Sequence, residues 1–431
     1  MIMNKERLAI IDGLRTPFVK VGGEFKSVPA DVLCSVVLRE LLYRVPVDQA
    51  HVDHVVLGNV AQPGNAANIA RVIALKAGLN QVIPAYTVHR NCASGMESLS
   101  TAANMIFSGE AEIVVAGGTE SMSNIPLLFN SQMTAFFEQL FKAKTLSQKL
   151  RVLMRFRLPF LKPVIGVVQG LTDPVCGLVM GMTAENIAKD FMISRSDQDE
   201  FALQSHQRAV TAESDQFFDA ERMVFPAIFK GMSLVDRDIG PREDQSIAAL
   251  QKLRPYFDRK NGTVTVGNAC PLTDGAAAVL VMSESKAKAL GLTPLGYVKG
   301  FAYSGLDPSR MGLGPVYAMN KVFQKTGYRL ADMDLIEINE AFAAQVLGCV
   351  KACADQTYCQ KYMNTDAMGD IDIDRLNVHG GAIALGHPVG TSGTRIILTL
   401  LHALKRRGQH RGVASLCIGG GQGGACIVET E

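Results

Sequence analysis

Short apolar runs bounded by glycines and polar turns recur along this chain, and longer stretches with helical spacing of apolar positions lie between them. Leu8 to Ile11, Ile83 to Val88, Ile113 to Gly118, Leu335 to Ile338 and Val413 to Gly421 read as strands of the buried type. Met96 to Phe107, Thr394 to Leu404 and Met182 to Ala212 read as helices. Strands alternating with helices predict an α/β fold in which helices cover a sheet.

The pattern also repeats. Val52-Asp53-His54-Val55-Val56-Leu57-Gly58-Asn59 has the form of Met333-Asp334-Leu335-Ile336-Glu337-Ile338-Asn339-Glu340. The turn and helix opening Ala93-Ser94-Gly95-Met96 match Thr391-Ser392-Gly393-Thr394, and each helix leads to a strand ending in glycines. Two copies are too few for a solenoid, so the chain reads as two duplicated halves that place equivalent loops at a shared pseudo-twofold site. The repeat vanishes over 122–258, which reads as an insertion. The organisation expected is a first half in 1–121, the insertion in 122–258, completion of the first half in 259–290 and a second half in 291–431. Within the insertion, the acidic polar run Asp236 to Gln245 reads as loop.

Composition adds limits. A formal charge of +2 gives no global case for nucleic-acid binding. Nine cysteines without framework spacing point to a reducing compartment. No signal peptide is seen in Met1 to Glu6, and no apolar run is long enough to span a bilayer, so a cytoplasmic protein is expected. Cys349, Cys353 and Cys359 lack the paired spacing of zinc ligands and a nearby histidine, so core packing is expected there and no metal.

Two other cysteines sit where chemistry is done. Cys92 lies in His89-Arg90-Asn91-Cys92-Ala93-Ser94-Gly95, between a strand and a helix, where free helix N–H groups are expected to favour the thiolate. Cys417 ends a strand where Gly419-Gly420-Gly421 begins, so a substrate can approach bare backbone there. His387 lies among five glycines in Gly380 to Gly393, and its loop is the repeat counterpart of the Cys92 loop. A base there suits proton removal from Cys92. His51, His54, His206, His402 and His410 read as structural. Asn339 follows a strand, where an amide can hold a water or polarise a carbonyl, though taken alone it reads first as a turn or cap residue.

Asn91-Cys92-Ala93-Ser94-Gly95, Asn339-Glu340-Ala341-Phe342, Gly380 to Pro388 and Cys417-Ile418-Gly419-Gly420-Gly421 resemble the four signature blocks of the thiolases, and Asn268 to Ala278 resembles a further block. Lys144 to Leu150 and Lys252 to Asp258 are most similar to degradative 3-ketoacyl-CoA thiolases, including the β subunits of fatty-acid oxidation complexes. Many such subunits carry histidine where this chain has Asn339. The resemblance implies duplicated βαβαβαββ halves in a layered α/β/α/β/α core with an inserted loop domain. It implies a Cys92 nucleophile, a His387 base and a Cys417 acid/base. One oxyanion hole would form at His387 and a water on Asn339, and another from the N–H groups of Cys92 and Gly419. Met180, Cys270, Ala341 and Phe342 would line the CoA or acyl pocket, core packing being their alternative. CoA and acyl-CoA are substrates and no other cofactor is implied. A homodimer or tetramer is expected, with an α subunit as a further partner. A biosynthetic acetoacetyl-CoA thiolase uses the same residues, and a thiolase-like lipid carrier without catalysis is a third reading.

The segment 139–172 carries Lys142, Lys144, Lys149, Arg151, Arg155, Arg157 and Lys162 without an acidic residue. Leu146, Leu150, Leu153, Met154 and Leu158 fall on one side of a helix there. Such a segment suits an anionic membrane or a partner, and equally a solvated basic helix that guides CoA phosphates.

Overall fold

Period-two alternation with both faces buried decides the architecture. The computed structural model describes residues 6–431; residues 1–5, where the search for a signal peptide begins, lie outside the described residues. The first half contributes β1 (Leu8–Arg15), β2 (His54–Gly58), β3 (Ala85–Val88), β4 (Ile113–Ser121) and β5 (Thr273–Ser283). The second contributes β6 (Gly296–Gly305), β7 (Leu335–Ile338), β8 (Arg411–Ile418) and β9 (Gln422–Glu429). They are hydrogen-bonded in the order β7-β8-β9-β6-β1-β5-β4-β2-β3, and the antiparallel β1–β6 pairing, Leu8 to Ile10 against Val298 to Gly296, joins the halves.

Along each strand alternate residues enter different cores. Leu8, Ile10, Val56, Val114 and Val281 face a central core together with Leu335, Ala414, Leu416 and Val428 of the second half. That core is filled by α3 (Ser94–Ser108) and α6 (Ser392–Arg407), through Met96, Leu99, Ile397 and Leu404. Ala9, Val55, Val115 and Leu280 face outward onto α1 (Ala30–Arg44) and α2 (Ile69–Ala77). Val413, Cys417, Ile427 and Ile336 face outward onto α4 (Gly314–Thr326) and α5 (Ala343–Ala354). The result is the expected five-layer α/β/α/β/α arrangement. Burying one such side chain is worth about 1.5–3 kcal/mol, so a register slip in any strand is excluded on both faces at once.

The duplication is visible atom by atom. The Asp53 carboxylate accepts from the N–H groups of Glu112 and Ile113, at 2.7 and 2.9 Å. The Asp334 carboxylate accepts from those of His410 and Arg411, at 2.9 and 2.8 Å.

The insertion differs in detail from the sequence expectation. Contacts separate 125–172 as a compact unit, whereas 173–258 groups with the main body. The single helix expected over Met182 to Ala212 is two, Met180–Asp190 and Arg195–Ser214. Met192 at φ 49° turns the chain between them, and Ser194 caps the second helix reciprocally with Asp197. In the 125–172 unit, the basic helix is short, Leu146–Leu153, so Met154 and Leu158 fall beyond it. A helix at Ser131–Lys142 precedes it, and Phe136 packs against Phe137, Phe156 and Phe160. The run Asp236 to Gln245 is loop, yet Asp238 is buried and holds Arg15 and Arg222. Cys349, Cys353 and Cys359 are buried in side-chain packing, and no group of three or more His, Cys, Asp or Glu among the described residues is placed to hold a metal. No helix among the described residues is long and apolar enough to cross a membrane.

Candidate active site

Two helix N-termini meet at the pseudo-twofold axis. Gly95 of α3 and Gly393 of α6 lie in contact: a Cβ on Gly393 would strike the backbone N of Met96, and one on Gly95 would stand 2.7 Å from Thr394 Oγ1. Thr394 Oγ1 donates to Gly95 O at 3.0 Å, tying the helices together. Each helix is entered from a turn, one carrying Cys92 and the other His387. Gly390 O of the His387 turn would lie 3.0 Å from a Cβ on Gly95 at the end of the Cys92 turn, which sets these turns next to each other.

The Cys92 turn is closed by Ser94, whose Oγ accepts from Arg90 N at 2.9 Å and donates to Asn91 O at 2.7 Å. Asn91 adopts φ 43°, a conformation asparagine tolerates, and its Nδ2 donates to Gly419 O at 2.8 Å. That bond anchors the Cys92 turn to the glycine turn after β8. There Gly420 and Gly421 take positive φ, and a Cβ on Gly421 would run into Leu306 O. The backbone N–H groups of Gly419 and of Cys92 itself are directed at the Cys92 sulfur.

The bias towards the thiolate expected from the helix end is outweighed. Burial pushes the Cys92 thiol above its ordinary range, and the two backbone N–H groups recover only part of the shift. Cys92 precedes the helix cap, Ala93, so it lies outside the first turn. A thiol in this state needs a base.

His387 has the properties of one. Its backbone N donates to Thr273 Oγ1 at 3.2 Å, and its Nδ1 lies 2.6 Å from Ser392 Oγ. The Ser392 hydroxyl also lies 3.1 Å from Pro388 O; when it donates there, Nδ1 carries the imidazole proton and Nε2 keeps its lone pair. Nε2 is buried and has no hydrogen-bond partner among the described residues. Burial, then the charge of Arg395, lowers the imidazole to about 4, so it is neutral at physiological pH.

Cys417 lies near the end of β8, opposite Gly423 of β9, and is buried. Burial pushes its thiol well up, and the nearby thiols of Cys92, Cys349 and Cys270 push in the same direction. Cys270 is likewise raised to about 12, by burial and then by Cys92. Asn339 follows β7, with its N donating to Ser415 O at 2.9 Å; both polar atoms of its buried amide lack a hydrogen-bond partner among the described residues. Unpaired polar atoms in a buried amide are costly, and a bound water or carbonyl would satisfy them.

The expected pocket residues adjoin this centre. Cys270 N donates to Ala341 O at 3.0 Å, and Ala269 bridges to Phe342. Phe257 packs edge-on against Phe342 at 5.9 Å. The Met180 sulfur would touch a Cβ on Gly419 at 3.6 Å.

The thiolase N-terminal domain family matches residues 8–285, and the thiolase C-terminal domain family matches 292–430. The chain belongs to the thiolase family. Its similarity to a 3-ketoacyl-CoA thiolase of Yersinia pestis (strain Pestoides F) is 42% identity over 429 residues, 99% of this chain and 97% of the relative. The crystal structure of the Bacillus anthracis acetyl-CoA acetyltransferase matches with a TM-score of 0.87 at 37% identity, covering 98% of both chains. Human mitochondrial 3-ketoacyl-CoA thiolase matches at 0.85 and 37%, covering 99% of both chains. In complex with CoA, the human enzyme matches at 0.84 and 36%, covering 99% of this chain and 98% of that one.

Three supports of this thiolase site escaped the sequence reading: Ser392 under His387, Thr273 at its backbone, and the Asn91 side chain on Gly419. The repeated Ser-Gly of Ser94-Gly95 and Ser392-Gly393 was the one signal for the first of these.

Proposed function

We propose that the protein is a 3-ketoacyl-CoA thiolase that cleaves 3-oxoacyl-CoA with CoA in fatty-acid β-oxidation. The observation that carries this is the His387 imidazole, neutral, locked at Nδ1 by Ser392 and free at Nε2, on the turn beside a Cys92 that rests as a thiol. Cys92 Sγ attacks C3 of the substrate while its proton passes to His387 Nε2. The resulting Nε2–H, with a water on the Asn339 amide, faces the oxyanion formed at C3. Breakage of the C2–C3 bond leaves the acyl group on Cys92, and the Cys417 thiol protonates C2 of the departing acetyl-CoA. A second CoA then attacks the acyl-enzyme, its thiol proton restoring Cys417, and the Cys92 sulfur leaves the shortened acyl-CoA and takes its proton back from His387 Nε2. The N–H groups of Cys92 and Gly419 serve the thioester oxygen. One such donor lowers a barrier by about 3 kcal/mol. Met180, Cys270, Ala341 and Phe342 border the acyl and CoA path.

A biosynthetic acetoacetyl-CoA thiolase is the second reading, favoured by the likeness to the Bacillus anthracis acetyltransferase. Thiolysis rates over 3-oxoacyl-CoA substrates of increasing chain length separate the two. Turnover of medium or long substrates supports the degradative role, and activity confined to acetoacetyl-CoA overturns it. A carrier without catalysis would turn over none.

The enzyme is proposed to be cytoplasmic and a homodimer or tetramer; a concentration-independent monomer by light scattering would contradict the oligomer. Its 125–172 unit is proposed to dock on an anionic membrane surface, on an α subunit of an oxidation complex, or on both. Phe141, Leu146 and Leu158 are 93%, 84% and 77% exposed there, amid cations worth about 1 kcal/mol each near such a surface. If wild type and a Lys149→Glu, Arg151→Glu, Arg155→Glu variant both stay in solution beside anionic liposomes, the membrane contact is wrong.

A further inference from the structure

Glu120 stands near the end of β4 in the first half and is 1% exposed. Four donors converge on its carboxylate. Oε2 accepts from Gly390 N at 3.0 Å and from Val60 N at 3.1 Å; Oε1 accepts from Ala61 N at 3.0 Å and from Asn59 Nδ2 at 3.2 Å. Buried bonds of this kind are costly to lose, because each donor left behind is desolvated and unpaired. The steps proposed above make no use of this carboxylate.

Its partners belong to both sides of the site. Gly390 is part of the second-half turn that carries His387. Residues 58–61 adjoin the Cys92 turn: Asn59 N donates at 3.3 Å to Val88 O, at the end of the strand from which that turn leaves, and a Cβ on Gly58 would stand 2.6 Å from Ser94 O. One carboxylate thus joins a segment packed on the nucleophile's turn to the turn of the base. The duplication shows the same relation from another side. Ser94 and Ser392 are equivalent, so Gly390 occupies in its half the place that Cys92 occupies in the other. At that second helix end the nucleophile's position has no side chain. A Cβ there would stand 3.0 Å from Glu120 Oε2 and 2.7 Å from Thr119 O, and the free N–H is the one that Glu120 takes up.

We propose that Glu120 is a positioning residue for the proton transfer: by gathering residues 59–61 and Gly390 N on one carboxylate, it holds the His387 turn against the Cys92 turn. The inference rests on His387 being the base for Cys92. Thr391 Oγ1 adds to the same latch, donating to Gly118 O at 3.2 Å and to Gly275 O at 2.9 Å. Burial raises the Glu120 carboxyl to about 7, against the opposing N–H groups of Ala61, Val60 and Gly390.

Single-turnover acylation of Cys92 by an acyl-CoA, read by mass spectrometry at about pH 8 where the carboxylate is ionised, tests it. Glu120→Met keeps the length of the side chain and removes both acceptors. Its acylation should be about 10²-fold slower, with the half-saturating acyl-CoA concentration unchanged. Glu120→Gln keeps one acceptor oxygen and should fall between that variant and wild type. In a His387→Gln background the loss should vanish, since a brace that acts through His387 has nothing left to position. A merely structural role would slow that background further by the same factor. Wild-type acylation in Glu120→Met, a defect confined to the half-saturating concentration, or an undiminished loss in the His387→Gln background would overturn the proposal. If Glu120→Met fails to fold, Glu120→Gln carries the same comparisons, and wild-type acylation in it, or loss of fold in both, overturns the proposal. His387→Gln alone separates the two levels. If it acylates like wild type, another group is the base and the underlying reading falls. If it is slow yet the Glu120 effect persists in it, only this inference falls.

Discussion

Cys92 and Cys417 are both held as thiols at rest, and the difference between them lies in what each touches. Cys92 has backbone N–H groups at its sulfur and lies on a turn next to the one that carries His387; Cys417 is close to other thiols. Their proposed roles predict different losses. Cys92→Ser should form no acyl-enzyme, and mass spectrometry of the wild type should find the acyl group on Cys92; label on Cys417 instead would reverse the assignment. Cys417→Ala should still acylate at Cys92 but lose exchange of deuterium into the methyl group of acetyl-CoA by about 10²–10⁴-fold. Normal exchange in that variant would assign the acid/base to another group. At this scale the residues of the site were legible, because each stood in a motif of its own. The state of the Cys92 thiol was not. It depends on how much water the folded chain removes, and that desolvation outweighs the helix end.

Among elements, the crossing of α3 over α6 does the assembling. It needs two residues without side chains at one point, which Gly95 and Gly393 supply. Gly393→Ala should therefore push the helices apart, cost about 1–3 kcal/mol of stability and separate the Cys92 turn from the His387 turn. Denaturant melts and thiolysis rates check it: a variant with wild-type stability and activity would show that the contact relaxes without consequence. Elsewhere, an element boundary was hidden. Met182 to Ala212 shows no proline or glycine at the break, and only the Ser194 to Asp197 spacing marks the restart of the helix. The basic helix was overextended for a different reason, since periodic leucines continue past its end although the chain turns to a 3₁₀ segment at Leu158–Leu161.

Across the whole molecule, neutral histidines kept from water couple stability to pH. His379 stacks on Phe217, with centroids 3.6 Å apart, and burial followed by Arg407, Arg406 and Arg208 lowers it to about 3. Between that value and its ordinary 6.5 the unfolded chain holds the proton and the folded chain does not. Stability from this group is therefore present at neutral pH and lost as pH falls through that window. His379→Phe keeps an aromatic face for Phe217 and removes the titration, so its stability should fall less than the wild type's between about pH 7 and about pH 5. Equal losses in urea titrations at the two values would show that His379 does not contribute to the slope.

The duplicated halves, the α/β class and the settings of Cys92, His387 and Cys417 were legible in local sequence, because apolar alternation, glycine turns and helix starts are short-range patterns; the roles proposed for the three residues came from the resemblance to the thiolase blocks. Folding decided what distance along the chain conceals. It tied Asn91 to Gly419, placed Ser392 beneath His387, and left the Asn339 amide and the Arg395 guanidinium without hydrogen-bond partners among the described residues. Hydrogen bonds, burial and the field of a charge depend on separation in space. For residues hundreds of positions apart, only the packed halves set that separation.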